Sequence, residues 1–137
     1  MIIKMINTLT SVKIIDNSGG SQGRCLKVLS RSNVAKVGDI ILISITKVSK
    51  TIPNHPVKKG QLYKALVVGA HTNNMNYSSS QYVPNFDNNL VVLVKIQKHG
   101  DIEPIGSRIK KPIPYALKYH PNSSKFQKIF GISRLLI

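Results

Sequence analysis

Ile41, Ile43 and Ile45 alternate with Leu42, Ser44 and Thr46, the two-residue period of a strand with one buried face. Val92, Val94 and Ile96 repeat that period against Leu93 and Lys95. Short β-branched runs bounded by turn residues predict strands over Thr8–Ile15, Gly23–Leu29, Asp39–Val48, Leu62–His71 and Leu90–Gln97. Asp16-Asn17-Ser18-Gly19-Gly20 closes the first run, because Asn and Gly accept the positive φ of a tight turn. Val37-Gly38-Asp39 and Lys59-Gly60-Gln61 punctuate later runs in the same way. Strands joined by short turns favour a mainly β fold, a small five-stranded β-barrel whose closure leaves no exposed edge.

Two segments break the pattern. Thr72–Asn89 holds six Asn, the triplet Ser78-Ser79-Ser80 and no Lys or Arg, and reads as a β-ribbon tip or long loop between the fourth and fifth strands. After Pro112-Ile113-Pro114 the period becomes helical, with Phe126, Ile129 and Phe130 on one face of a short helix over Lys125–Phe130. Asn122, Ser123 and Ser124 are N-cap candidates, and Gly131 is the expected stop. One or two short C-terminal helices are expected in all, docked by those rings onto the barrel. The chain therefore divides into a barrel over 1–103, with its long loop at 72–89, and a basic tail over 104–137, together one domain.

Charge then narrows the function. The 137 residues carry 20 Lys+Arg against 5 Asp+Glu, a formal net charge of +15. Lys47–Lys64 holds five bases and no acid, and Pro104–Ile137 holds seven bases and no acid. Like charges crowded together oppose compaction, so such segments fit a polyanionic partner, nucleic acid first. Lys47 and Lys50 end one strand, Pro53–Pro56 bends the chain, and Lys58 and Lys59 lead into the next, which carries Lys64, an arrangement suited to touching phosphates on two sides of a groove. Arg108, Lys110 and Lys111 add a guanidinium fork and two point charges beside a proline-stiffened stretch. With no Trp, and with aromatics that do not interleave with the bases, backbone and shape recognition of folded RNA is favoured over stacking on single strands.

Other chemistry is poorly supported. His55, His71, His99 and His120 have no partner at i+4, and one Cys with scattered His gives no metal spacing, so no metal, cofactor or catalytic residue is assigned. The glycines of Ser18–Gly23 precede no Gly-Lys-Ser/Thr, and the acids are isolated. No apolar run reaches the length of a membrane span, and the opening Met1–Asn7 resembles neither a signal nor a transit peptide. Lone Cys25 suits a reducing compartment. Lys outnumbers Arg 16 to 4 and Ile and Asn are abundant, the bias an AT-rich organellar or low-GC bacterial genome would leave.

Read in order, several pieces resemble the universal large-subunit ribosomal proteins of the L-fourteen family. They are Val12-Lys13-Ile14-Ile15-Asp16-Asn17-Ser18-Gly19, Cys25-Leu26-Lys27-Val28-Leu29, Val37-Gly38-Asp39-Ile40-Ile41, and Val57-Lys58-Lys59-Gly60 running on through Lys64 to Val68. Phe86-Asp87-Asn88-Asn89-Leu90, Pro104-Ile105-Gly106-Ser107-Arg108-Ile109 and Lys125-Phe126-Gln127-Lys128-Ile129 complete the series. The resemblance implies a five-stranded barrel with a β-ribbon and short C-terminal helices. It implies binding to large-subunit rRNA at the subunit interface, small-subunit rRNA at inter-subunit bridges, neighbouring ribosomal proteins, and a silencing or anti-association factor. Thr72–Asn89 departs from the family: Ser80-Gln81 replaces an Asp-Gly turn with its bases, and Asn88 replaces Gly. The expectation is an organelle-encoded protein of the mitochondrial ribosome, in the matrix, the alternatives being plastid or bacterial cytoplasm. A free-standing barrel that binds RNA as chaperone or regulator is the other class of function.

Overall fold

The computed structural model describes residues 6, 8–29, 34–49, 57–69, 89–98, 100–111, 113, 117–118 and 123–133. Thr72–Asn88, Lys50 and the Pro53–Pro56 bend lie outside these residues, and with them the expected ribbon or long loop.

Six strands follow in chain order: β1 Ser11–Ile14, β2 Gly20–Val28, β3 Ile40–Val48, β4 Leu62–Gly69, β5 Leu90–Ile96 and β6 Ile102–Pro104. Neighbours from β1 to β6 pair antiparallel, and β1 also pairs parallel with β5 through Lys13↔Leu90 and Ile14↔Val91. That last pairing closes β1 to β5 into the expected five-stranded barrel. Register shifts between Gly20 and Gly23 and between Cys25 and Lys27 let β2 bend around the closure. Gly20 serves the same end, because a Cβ there would stand 2.8 Å from Ile14 Cδ1 and close to Val57 and Ile45.

β3 shows the predicted alternation, with Ile41, Ile43 and Ile45 buried and the residues between them partly exposed. Ala65–Gly69 of β4 and Leu90–Val94 of β5 are instead buried on both faces. Ile109, Ile113, Leu117, Phe126 and Ile129 of the tail are fully buried in the same core cluster, together with Ile6, Ala35 and Val37.

Three differences from the sequence reading have local causes. The first strand starts at Ser11, since Thr8 and Leu9 form a turn with Leu9 at φ 71°, a left-handed value uncommon outside glycine. β6 was not expected; it spans three residues, includes Pro104, and pairs as an edge through Val94↔Pro104 and Ile96↔Ile102, where proline is tolerated. The helix begins as a 3-10 turn over Ser123–Phe126, continues as α1 over Gln127–Ile132, and has no side-chain N-cap bond. Gly131 therefore lies inside α1, because the Ile109 N–H bonds Ile132 O at 3.3 Å and carries the chain past it. The expected apolar face holds: Phe126 and Ile129 are buried, Phe130 meets Phe126 edge-on at 6.5 Å, and α1 packs against β6.

Candidate nucleic-acid interface

The basic tail is held to the barrel by the turn that ends β1. Asp16 is 1% exposed; its Oδ1 accepts the Ser18 N–H at 3.2 Å and the Ser18 hydroxyl at 2.5 Å, while Oδ2 accepts the Leu93 N–H at 3.1 Å. Burial disfavours the charged form and raises its pKa above the usual 3.8, opposed by those bonds and by the Lys110 charge. Asn17 next door grips the tail directly. Its Oδ1 accepts the N–H groups of Ser107 and Arg108 at 2.8 and 3.0 Å, and its Nδ2 donates to Ser107 Oγ at 2.9 Å. Backbone bonds from Asn17 N to Arg108 O at 3.2 Å and from Lys110 N to Ile15 O at 2.8 Å complete the latch.

Gly106 permits the close approach. A Cβ there would lie 2.7 Å from Asn17 Oδ1 and 3.2 Å from the Ser18 amide, with polar atoms fixed by the latch on the other side. Gly106→Ala should therefore cost about 1–3 kcal/mol of stability in urea denaturation, the range for overpacking. It should also speed hydrogen exchange at the Lys110 amide. A variant as stable as the parent would show that the latch yields freely.

The described candidate RNA-binding residues, Lys47, Lys58, Lys59, Lys64, Arg108, Lys110 and Lys111, are all exposed. They are not gathered in one place. Bonds from Ile45 N to Gln61 O at 3.0 Å and from Gly60 N to Ile45 O at 2.8 Å extend the β3–β4 ladder, bringing Lys58 and Lys59 to the end of β3 that carries Lys47. Lys64 pairs with Leu42 instead. That is about 17 Å back along the strand at roughly 3.3 Å per residue. There it shares an outer row with Lys27, which pairs with the other side of Leu42. The first basic segment is a strip along the wall rather than a single patch. Exposure alone does not single it out, since Arg24, Lys27, Lys95, Lys98, Lys118, Lys125 and Lys128 are exposed too.

The structure does bring the tail to the start of that strip. A cleft is lined by Lys13 from β1, Ser21 from β2, Ser49 just past β3, and Lys110 and Lys111. Ser49 reaches it because its N–H donates to Gly19 O at 2.7 Å. Lys13, Ser21 and Ser49 were missed from sequence. Lys13 could have been flagged as an outward position of β1, but no spacing reveals that the tail folds back beside it. Among the described residues no group of three His, Cys, Asp or Glu could hold a metal ion, and no helix is long and apolar enough to cross a membrane.

The barrel closed by β1 and β5, with a short C-terminal helix, is the fold that the resemblance noted in the sequence implies. Residues 5–137 match the family model described as Ribosomal protein L14p/L23e. The match covers nearly the whole chain, including the tail that the latch holds. The chain belongs to the ribosomal protein L14p/L23e family, and is a structural constituent of the large ribosomal subunit rather than a member of an enzyme family.

Proposed function

We propose that this chain binds large-subunit rRNA at the subunit interface, contributes there to inter-subunit bridges with small-subunit rRNA, and works in the mitochondrial ribosome. The observation that carries the reading is the union of family membership with two basic segments that contain no acid and whose described Lys and Arg side chains are exposed. Lys47, Lys50, Lys58, Lys59 and Lys64 form one set of phosphate contacts, and Arg108, Lys110 and Lys111 another. Barrel 1–103 and tail 104–137 act as one domain. Neighbouring large-subunit proteins, and a silencing or anti-association factor, are the protein partners. Composition supports an organelle-encoded origin, since the excess of Lys over Arg with abundant Ile and Asn follows an AT-rich genome. So does the replacement of basic residues by Asn and Ser in Thr72–Asn89.

Sucrose-gradient sedimentation of an organellar lysate at high salt tests this reading. Co-migration with the large subunit is expected, whereas a free-standing RNA-binding barrel would stay near the top of the gradient. The Thr72–Asn89 segment makes a separate prediction. Without Lys or Arg it gains little from counterion release, so deletion of Asn73–Ser80 should leave rRNA affinity within about twofold of the parent. A large loss in a filter-binding titration would mean that this segment contacts RNA after all.

A further inference from the structure

The cleft beside the latch has a volume of about 180 Å³ and draws its walls from four separate parts of the chain. Each wall is tied by backbone to the Ile15–Gly20 turn: Lys110 N to Ile15 O, Ser49 N to Gly19 O, and Ser21 by direct succession. Lys13 stands on the exposed side of β1, between buried Val12 and Ile14. Lys13, Lys110 and Lys111 therefore line one cleft, and among the described residues the Asp16 carboxylate acts on Lys110. That carboxylate is buried and already accepts bonds from Ser18 and Leu93, so it cannot turn to serve Lys13 or Lys111. Even with Asp16 ionised, the cleft keeps an excess of two positive charges, over a floor of Ile14, Ile15 and Gly20 that weakens screening.

Size and lining decide what such a cleft can take. It has room for about six waters at roughly 30 Å³ each. It falls short of the roughly 300–1,000 Å³ usual for a small-molecule pocket. Among the described residues no aromatic ring lines it, so none of them there would stack on a base. A phosphate group fits, with ammonium and hydroxyl donors around it. We propose that the cleft seats one backbone phosphate of RNA, held by Lys13, Lys110 and Lys111 with the Ser21 hydroxyl. This rests on the rRNA-binding reading and adds to it the place where the tail and the start of the first basic strip hold the same strand.

The test uses the full chain and two probes, a mixed-sequence A-form RNA hairpin and inorganic phosphate. Lys13→Gln should weaken hairpin binding several-fold. The triple change of Lys13, Lys110 and Lys111 to Gln should lower the log–log salt slope by roughly one unit rather than three, because the three groups serve one phosphate. Lys27→Gln, which alters an exposed lysine paired toward the other end of β3, should cost less than Lys13→Gln. Inorganic phosphate should shift the amide resonances of Ser21, Ser49 and Lys110 saturably in the parent and not in the triple variant. The proposal is overturned if Lys13→Gln and the triple variant bind the hairpin like the parent. Should phosphate still saturate the cleft in that case, the site takes a free anion and its assignment to RNA is wrong. If Lys58→Gln with Lys59→Gln flattens the slope while the cleft variants do not, the cleft assignment fails and the rRNA reading stands. If none of these changes alters the slope, the rRNA reading itself fails.

Discussion

Replacing Lys47, Lys58, Lys59 and Lys64 together with glutamine is expected to remove most of the salt dependence that the first basic segment gives to rRNA binding. All four side chains are exposed on or beside β3 and β4, so the change takes nothing out of the core. Each phosphate contact contributes roughly 0.9 to the log–log slope on a duplex, and four contacts about 3.6. Between about 50 and 200 mM salt the parent should therefore lose on the order of a hundredfold more affinity than the variant. Stability should hold or rise slightly, because like charges repel and four of them are gone. A titration series in which the variant keeps the parent slope would place these groups away from phosphate.

The largest loss of stability is expected from Asp16→Ala. The substitution strips an acceptor from the Leu93 N–H in the middle of β5 and from both donors of Ser18, all buried. A buried group left without its partner costs about 1–3 kcal/mol, so a total near 3 kcal/mol or more is expected in urea denaturation. A cost below about 0.5 kcal/mol, the range of an ordinary surface change, would show that the turn is not held by this carboxylate. The pH dependence has a definite sign. Burial raises the folded pKa of Asp16 above the unfolded value near 3.8, so the folded chain holds this proton more tightly. The stabilisation this brings is complete below the unfolded value and is lost as pH rises through the raised folded value. Asn does not titrate, so the stability of the parent relative to Asp16→Asn should fall as pH rises across that window. Parallel pH profiles would remove Asp16 as the titrating group.

Why the barrel could be read and the latch could not follows from the range of the forces involved. Ile41, Ile43 and Ile45 declare their strand locally, because the pleat alone puts them on one face. The turn at Asp16–Gly19 is equally local, with Gly19 at φ 111°. β4 and β5 gave their strands but not their double burial, which depends on segments distant in sequence that join the same core. Asp16 looked like a turn residue, yet its main partners include Leu93, far along the chain. β6 escaped notice because three residues ending in proline carry almost no period. Gly131 misled for a related reason: its preference for a helix end is worth less than the Ile109–Ile132 bond and the burial of Ile129 that draw α1 onward. The candidate site divides in the same way. Charge runs revealed which segments are basic, while the meeting of Lys13 with Lys110 and Lys111 exists only in the folded chain.

A structure of the assembled large subunit tests most directly whether these lysines face RNA phosphates. Most of the ammonium groups of Lys47, Lys58, Lys59, Lys64, Lys110 and Lys111 should lie within about 4 Å of phosphate oxygens, the range of a charge-assisted contact. If those groups face solvent or neighbouring protein while the chain sits in the subunit, the claim that the basic segments bind rRNA is contradicted.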